Sequence, residues 1–80
     1  MHVFFDIQYR GDLYLDDEGE HFQSLDAACG HLARVLCTFV HTGGELDDIR
    51  DLVVDITDRG TMRLIVPIID ILPKPVLRAA

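Results

Sequence analysis

Tryptophan is absent from this chain and lysine occurs once, at Lys74, so that 7 basic residues stand against 14 acidic ones and the formal net charge is −7. A nucleic-acid surface needs clustered Lys and Arg to displace counterions from phosphates, and this balance excludes such a partner. The acids gather at Asp16, Asp17, Glu18 and Glu20, and again at Glu45, Asp47, Asp48 and Asp51. Runs of this kind keep a greasy domain in solution, and they also suit a basic protein partner.

Cysteine is nearly as scarce. Cys29 and Cys37 fall in a segment with helical periodicity, where their spacing puts them about 12 Å apart along the axis, too far for a disulfide. Both read as reduced thiols serving as small apolar residues. No apolar run reaches the roughly eighteen residues that span a membrane. The N-terminal stretch "MHVFFDIQYR" lacks the basic-then-apolar pattern and the cleavage site of a secretory signal. The expected location is the cytoplasm.

Apolar residues are plentiful, at 49% of the chain. Eighty residues allow one domain, and a domain of this size buries only about 60% of the surface that its unfolded chain exposes. Part of the apolar surface is therefore expected to meet a partner.

Residues 2 to 9 alternate, with Val3, Phe5, Ile7 and Tyr9 on one face and His2, Phe4, Asp6 and Gln8 on the other, which predicts a strand. Arg10-Gly11-Asp12 supplies a turn, and Leu13, Tyr14 and Leu15 a short return strand ended by the acidic loop. Ser24 is a helix cap, and apolar residues then recur at Leu25, Ala28, Cys29, Leu32, Val35, Leu36, Phe39 and Val40 until Thr42-Gly43-Gly44 stops the helix. After an acidic connection, Leu52, Val54 and Ile56 alternate with Val53, Asp55 and Thr57, and Asp58-Arg59-Gly60 turns the chain into Met62, Leu64 and Val66. Pro67, Pro73 and Pro75 then favour an extended tail.

The order β-β-α-β-β predicts an α+β domain of two layers over residues 1–68, an antiparallel four-stranded sheet with one helix on one face, followed by a Pro-containing tail over residues 69–80. The expected core is Val3, Phe5, Ile7, Leu32, Leu36, Val54, Ile56 and Leu64. The opposite register puts Phe4, Tyr14, Val53 and Ile65 outward, mixed with Asp6, Asp55, Thr57 and Arg63. An uncovered sheet face is normally polar. The candidate protein interface is therefore Phe4, Tyr14, Val53 and Ile65 with Ile69 and Ile71 of the tail, beside Ile68, Leu72, Val76 and Leu77. Two arrangements would hide it: a homodimer with two-fold symmetry, or the tail folded back across its own sheet.

Reactive groups are sparse. His31 and His41 lie roughly 15 Å apart along a helix, no histidine pair has the i, i+4 spacing, and no metal site is expected. Asp16-Asp17-Glu18-Gly19-Glu20 lacks the alternating acids of a calcium loop, and Gly43-Gly44 and Arg59-Gly60 are too short to cradle a phosphate. Cys37 and His41, at i and i+4, form the one thiol–imidazole pair that helical geometry allows, without a third orienting group. No catalytic, cofactor or metal residue is assigned, and neither a cofactor nor a small-molecule substrate is inferred.

The set Val3-Phe4-Phe5-Asp6-Ile7, Asp17-Glu18-Gly19, Leu25-Asp26-Ala27-Ala28 and Asp55-Ile56-Thr57-Asp58-Arg59-Gly60, with Leu64, Val66 and Pro67, resembles a family of short, uncharacterised bacterial proteins, mainly alphaproteobacterial, that consist of a domain of unknown function. The resemblance covers residues 3 to 68. Two positions depart from its usual pattern: Asp6 stands where a His is frequent, and Leu52 near where an aromatic is frequent. The family implies a small cytoplasmic bacterial domain and carries no established activity.

The expected role is a non-enzymatic interaction or regulatory module, working as a homo-oligomer or adaptor. The alternatives are an antitoxin-like module that neutralises a basic protein, and a thiol enzyme or redox sensor built on Cys37 and His41.

Overall fold

In the computed structural model, which describes residues 1–72, the elements run β1 (His2–Tyr9), β2 (Asp12–Tyr14), β3 (Glu20–His21), α1 (Leu25–His41), α2 (Leu46–Ile49), β4 (Val53–Thr57), β5 (Arg63–Pro67) and α3 (Ile68–Ile71). The sheet is open and antiparallel in the order β2-β1-β4-β5, and the two-residue β3 also pairs with β1. The α+β architecture with a long helix over one sheet face is as the sequence predicts. β3, α2 and α3 are additions to it.

Local chemistry explains the boundaries. Arg10 and Gly11 both take positive φ, +50° and +85°, so β1 and β2 join through a two-residue turn of the mirror-image type that matches strand twist. The Ser24 hydroxyl accepts the Ala27 N–H at 3.1 Å and caps α1. At the other end Gly43 is left-handed at φ +105°, and the N–H groups of Gly43 and Gly44 return to the carbonyls of Val40 and Phe39, the Schellman closure. Gly44 lies close against the Phe39 ring, which would have to move aside for a Cβ there.

The core lies between α1 and the face of the sheet that carries Val3, Val54 and Ile56. Val3 and Ile56 are wholly buried, and they join Ala28, Leu32 and Leu36 of α1. Phe5 and Ile7 are half-buried against the same cluster. Leu64, expected in the core, is 38% exposed: its register opposite Ile56 gives it the right face, but β5 is the edge strand, and Leu64 stays outside the cluster that Met62 and Val66 pack against. Val35 and Phe39 likewise leave the apolar stripe for solvent.

Two segments read as connection and tail complete the core. Leu46 and Ile49 of α2 are buried, as are Ile68 and Leu72 at the ends of α3. The prolines mislead here, because Pro67 ends β5 and occupies the cap position of α3 with φ −63°, which costs no helical hydrogen bond. Ile68 N–H then binds the Leu52 carbonyl at 2.9 Å and fastens the turn to β4. Residues 69–72 are thus a helical turn and its end, not an extended arm, and the expected tail positions Val76 and Leu77 lie outside the described residues. Among the described residues no helix is long and apolar enough to cross a membrane.

Candidate interaction surface

The buried residues of all three helices belong to one cluster on one side of the sheet, so the other side carries no helix among the described residues. That outer face is set by register. β1 and β4 place Phe4 opposite Thr57, Asp6 opposite Asp55 and Gln8 opposite Val53, and β5 adds Arg63, Ile65 and Pro67 in the same three rows.

Its centre is two aspartates side by side, 5% and 7% exposed. Like charges directly opposite in a sheet repel, and burial raises the cost. Each is compensated by its own arginine. Arg59 grips both oxygens of Asp6, Nη2 at 2.9 Å from Oδ1 and Nη1 on Oδ2. Arg63 Nε donates to Asp55 Oδ2 at 2.6 Å. The Arg59 fork holds the Asp6 carboxyl below its ordinary range, against the opposing effect of burial and with the help of the Asp16 N–H.

Arg59 does more than neutralise. It stands at φ +63° in the β4–β5 turn, anchored by its N–H on the Thr57 hydroxyl at 3.0 Å. Its guanidinium lies 4.5 Å from the centre of the Phe4 ring and donates to the Asp16 carbonyl at 2.8 Å. Asp16 in turn accepts the N–H groups of Phe5, Glu18 and Gly19. Burial pushes that carboxyl up, and these N–H bonds, Gly19 first, outweigh it and leave it lowered. Arg59 therefore locks the loop between β2 and β3 to the turn between β4 and β5. Gly19 is needed in that loop: its φ is +67°, and a Cβ there would come within 2.9 Å of the Val3 carbonyl.

Carboxylates tied up in this way are poor proton-transfer groups. Asp55 Oδ1 is buried without a hydrogen-bond partner among the described residues. No three His, Cys, Asp or Glu side chains converge on a metal-sized site among the described residues. A depression of about 270 Å³ lies at the far end, between the β1–β2 turn and Asp51 with Val53. It is below the usual size of a ligand pocket, about 300 to 1,000 Å³.

Of the expected interface residues, the structure brings Phe4, Val53 and Ile65 onto the outer face. Phe4 and Val53 are half-buried and Ile65 is 52% exposed. Tyr14 does not join them. It pairs with Ile7 and so belongs to the register of the α1 side, while Leu13, opposite Gln8, takes the outward place. Ile69 is exposed on α3, and Ile71 is half-buried against the core. Cys37 is half-buried and His41 exposed on α1, and no hydrogen bond joins them among the described residues. Burial pushes the Cys29 thiol up, away from reactivity.

The Asp6–Arg59 link escapes a local reading because 53 residues separate its partners. One signal for it does exist: an Asp in the middle of each of two apolar strands requires cations nearby, and Arg59 and Arg63 both follow closely on the second of them.

Comparison with known families matches residues 2–68 to the family described as Domain of unknown function (DUF6894). Neither the curated proteins nor the solved structures contain a match. The chain belongs to the DUF6894 family.

Proposed function

We propose that this chain is a non-enzymatic protein-interaction module that acts as a homodimer. The observation that carries the reading is Ile65: it is 52% exposed in the middle of β5, on a sheet face that no described helix covers, in a strand whose second edge has no partner among the described residues. Leu64, on the other face of the same strand, is 38% exposed. A strand exposed on both faces and along one edge is a template for another chain.

The carboxylates at the centre of the face serve architecture, since each is engaged by an arginine. The apolar residues around them are what a partner would cover. Light scattering on the full chain at micromolar concentration tests the reading. A mass near twice the 9.0 kDa of one chain supports it, and a mass of one chain across the accessible concentrations overturns it.

A further inference from the structure

Resting on the homodimer reading above, we infer that the contact is edge to edge: β5 pairs antiparallel with β5 of a second copy, about a two-fold axis through Ile65. The direction of the backbone groups along β5 sets the register. Ile68 N–H binds the Leu52 carbonyl and Asp58 N–H the Met62 carbonyl, so hydrogen-bonded pairs alternate along the β4–β5 ladder, and Leu64 and Val66 point their N–H and C=O at β4. Arg63, Ile65 and Pro67 point theirs at the open edge.

That edge is complementary to itself. With the axis at Ile65, the two Ile65 residues exchange both hydrogen bonds, and each Arg63 N–H meets a Pro67 carbonyl of the other copy. Pro67 has no N–H to offer, so each of these end pairs keeps one of its two hydrogen bonds and leaves the Arg63 carbonyl to water. Leu64 falls opposite Val66 of the second copy on the α1 side, and Ile65 opposite its own counterpart on the outer side. These cross-strand apolar pairs partly cover Leu64 and Ile65, the large apolar side chains of β5 that a single chain leaves exposed.

Charge selects the same edge. Arg63 is the one charged residue of β5, whereas Asp12, Asp16, Asp17, Glu18 and Glu20 crowd β2, β3 and the loop between them at the opposite side of the sheet. Two chains of net charge −7 repel least when joined through β5, with their acidic edges farthest apart. The axis also brings each Arg63 to the end of β5 that leads to Asp70 in the other copy. The joined sheet runs β2-β1-β4-β5-β5-β4-β1-β2 with both copies of α1 on one side.

The test is position-specific cross-linking with an independent mass measurement. Directly opposed, hydrogen-bonded residues have Cα atoms about 5.5 Å apart, within disulfide range. Ile65→Cys, oxidised with glutathione disulfide, should yield a reducible dimer as the main product. Ile69→Cys, exposed but outside the strand, and the unsubstituted chain, which carries Cys29 and Cys37, should not. Ile65→Lys, which places like charges face to face at the axis, should raise the dimer Kd on the order of tenfold or more, with the far-UV circular dichroism retained. A dimer by mass that neither cross-links through Ile65→Cys nor weakens with Ile65→Lys overturns the edge pairing and leaves the homodimer standing. A full chain that is monomeric overturns both.

Discussion

Asp6 and Asp55 face each other across β1 and β4, each less than a tenth exposed, and each is held by a different arginine, Asp6 by Arg59 and Asp55 by Arg63. The two pairs differ in kind. Arg59 binds with two nitrogens and also holds the Asp16 carbonyl and the face of Phe4, whereas Arg63 binds through one nitrogen and is 62% exposed. Removing one partner of a buried pair strands a charge, which is where such pairs become costly. Arg59→Ala is expected to lower the urea midpoint, by less than the loss of a wholly buried pair would, because Arg59 itself reaches solvent. Arg63→Ala should cost less. Urea denaturation of both variants reads the difference, and equal losses would contradict the assignment of Arg59 as the lock.

The same carboxylates set the response to acid. Asp6, Asp16 and Asp58 are all lowered, Asp6 foremost by Arg59, Asp58 by the N–H groups of Gly60 and Met62, and Asp16 by N–H bonds that overcome its burial. A carboxyl lowered in the folded state binds protons more weakly there than in the unfolded chain. Its contribution is thus fully present above the unfolded value, about pH 4, and is lost as pH falls from there through the folded one. Denaturation midpoints should be level from about pH 5 to 7 as far as these groups are concerned, and drop below about pH 4. Asp6→Asn should make that drop shallower. An unchanged acid slope would show that Asp6 is not among the groups responsible.

The burial of Ile68 and the exposure of Leu64 have their own test. Ile68 is wholly buried and Leu64 is 38% exposed, the reverse of what a core Leu64 and a tail Ile68 would give. Ile68→Ala should cost about 2–5 kcal/mol, as Ile56→Ala should, and Leu64→Ala under about 1 kcal/mol in the monomer. Chemical denaturation at low concentration compares the three.

Which parts of this fold can be read from the sequence depends on whether the deciding interaction is local. Ser24, the stripe of α1 and Gly43-Gly44 are legible because cap, periodicity and stop act within one or two turns. The placement of Asp6, Asp55 and Arg63 on one face is legible too, since alternation alone assigns it. Tyr14 is not. A three-residue turn over Arg10-Gly11-Asp12 puts it outward, but the turn holds two residues and Tyr9 pairs with Asp12, and a shift of one residue sends every later side chain to the other face. Ile68 and Leu72 are hidden by prolines, which signal that a strand is interrupted but do not distinguish a helical turn from an extended arm. The Arg59 lock is hidden by distance along the chain, because no local pattern tells which carboxylate a turn arginine will reach.

Gly19 supplies the sharpest check on that lock, because it tests the loop from the side opposite Arg59. Its φ of +67° is one that an L-residue adopts at a cost, and a Cβ would press on the His2 ring at 2.6 Å and on the Val3 carbonyl at 2.9 Å. The ring can swing aside, although doing so breaks the 2.7 Å contact between His2 Nε2 and the Glu18 carbonyl. The Val3 carbonyl cannot, since it belongs to β1 where β3 pairs. The loop must therefore shift, taking with it the Gly19 and Glu18 N–H groups that Asp16 accepts. Gly19→Ala is expected to destabilise by about 1–3 kcal/mol. Because the Asp16 carbonyl would move from Arg59, the loss should overlap that of Arg59→Ala. In a double-mutant cycle the two together should cost less than their sum by about 0.5 kcal/mol or more, and strict additivity would separate the loop from the lock.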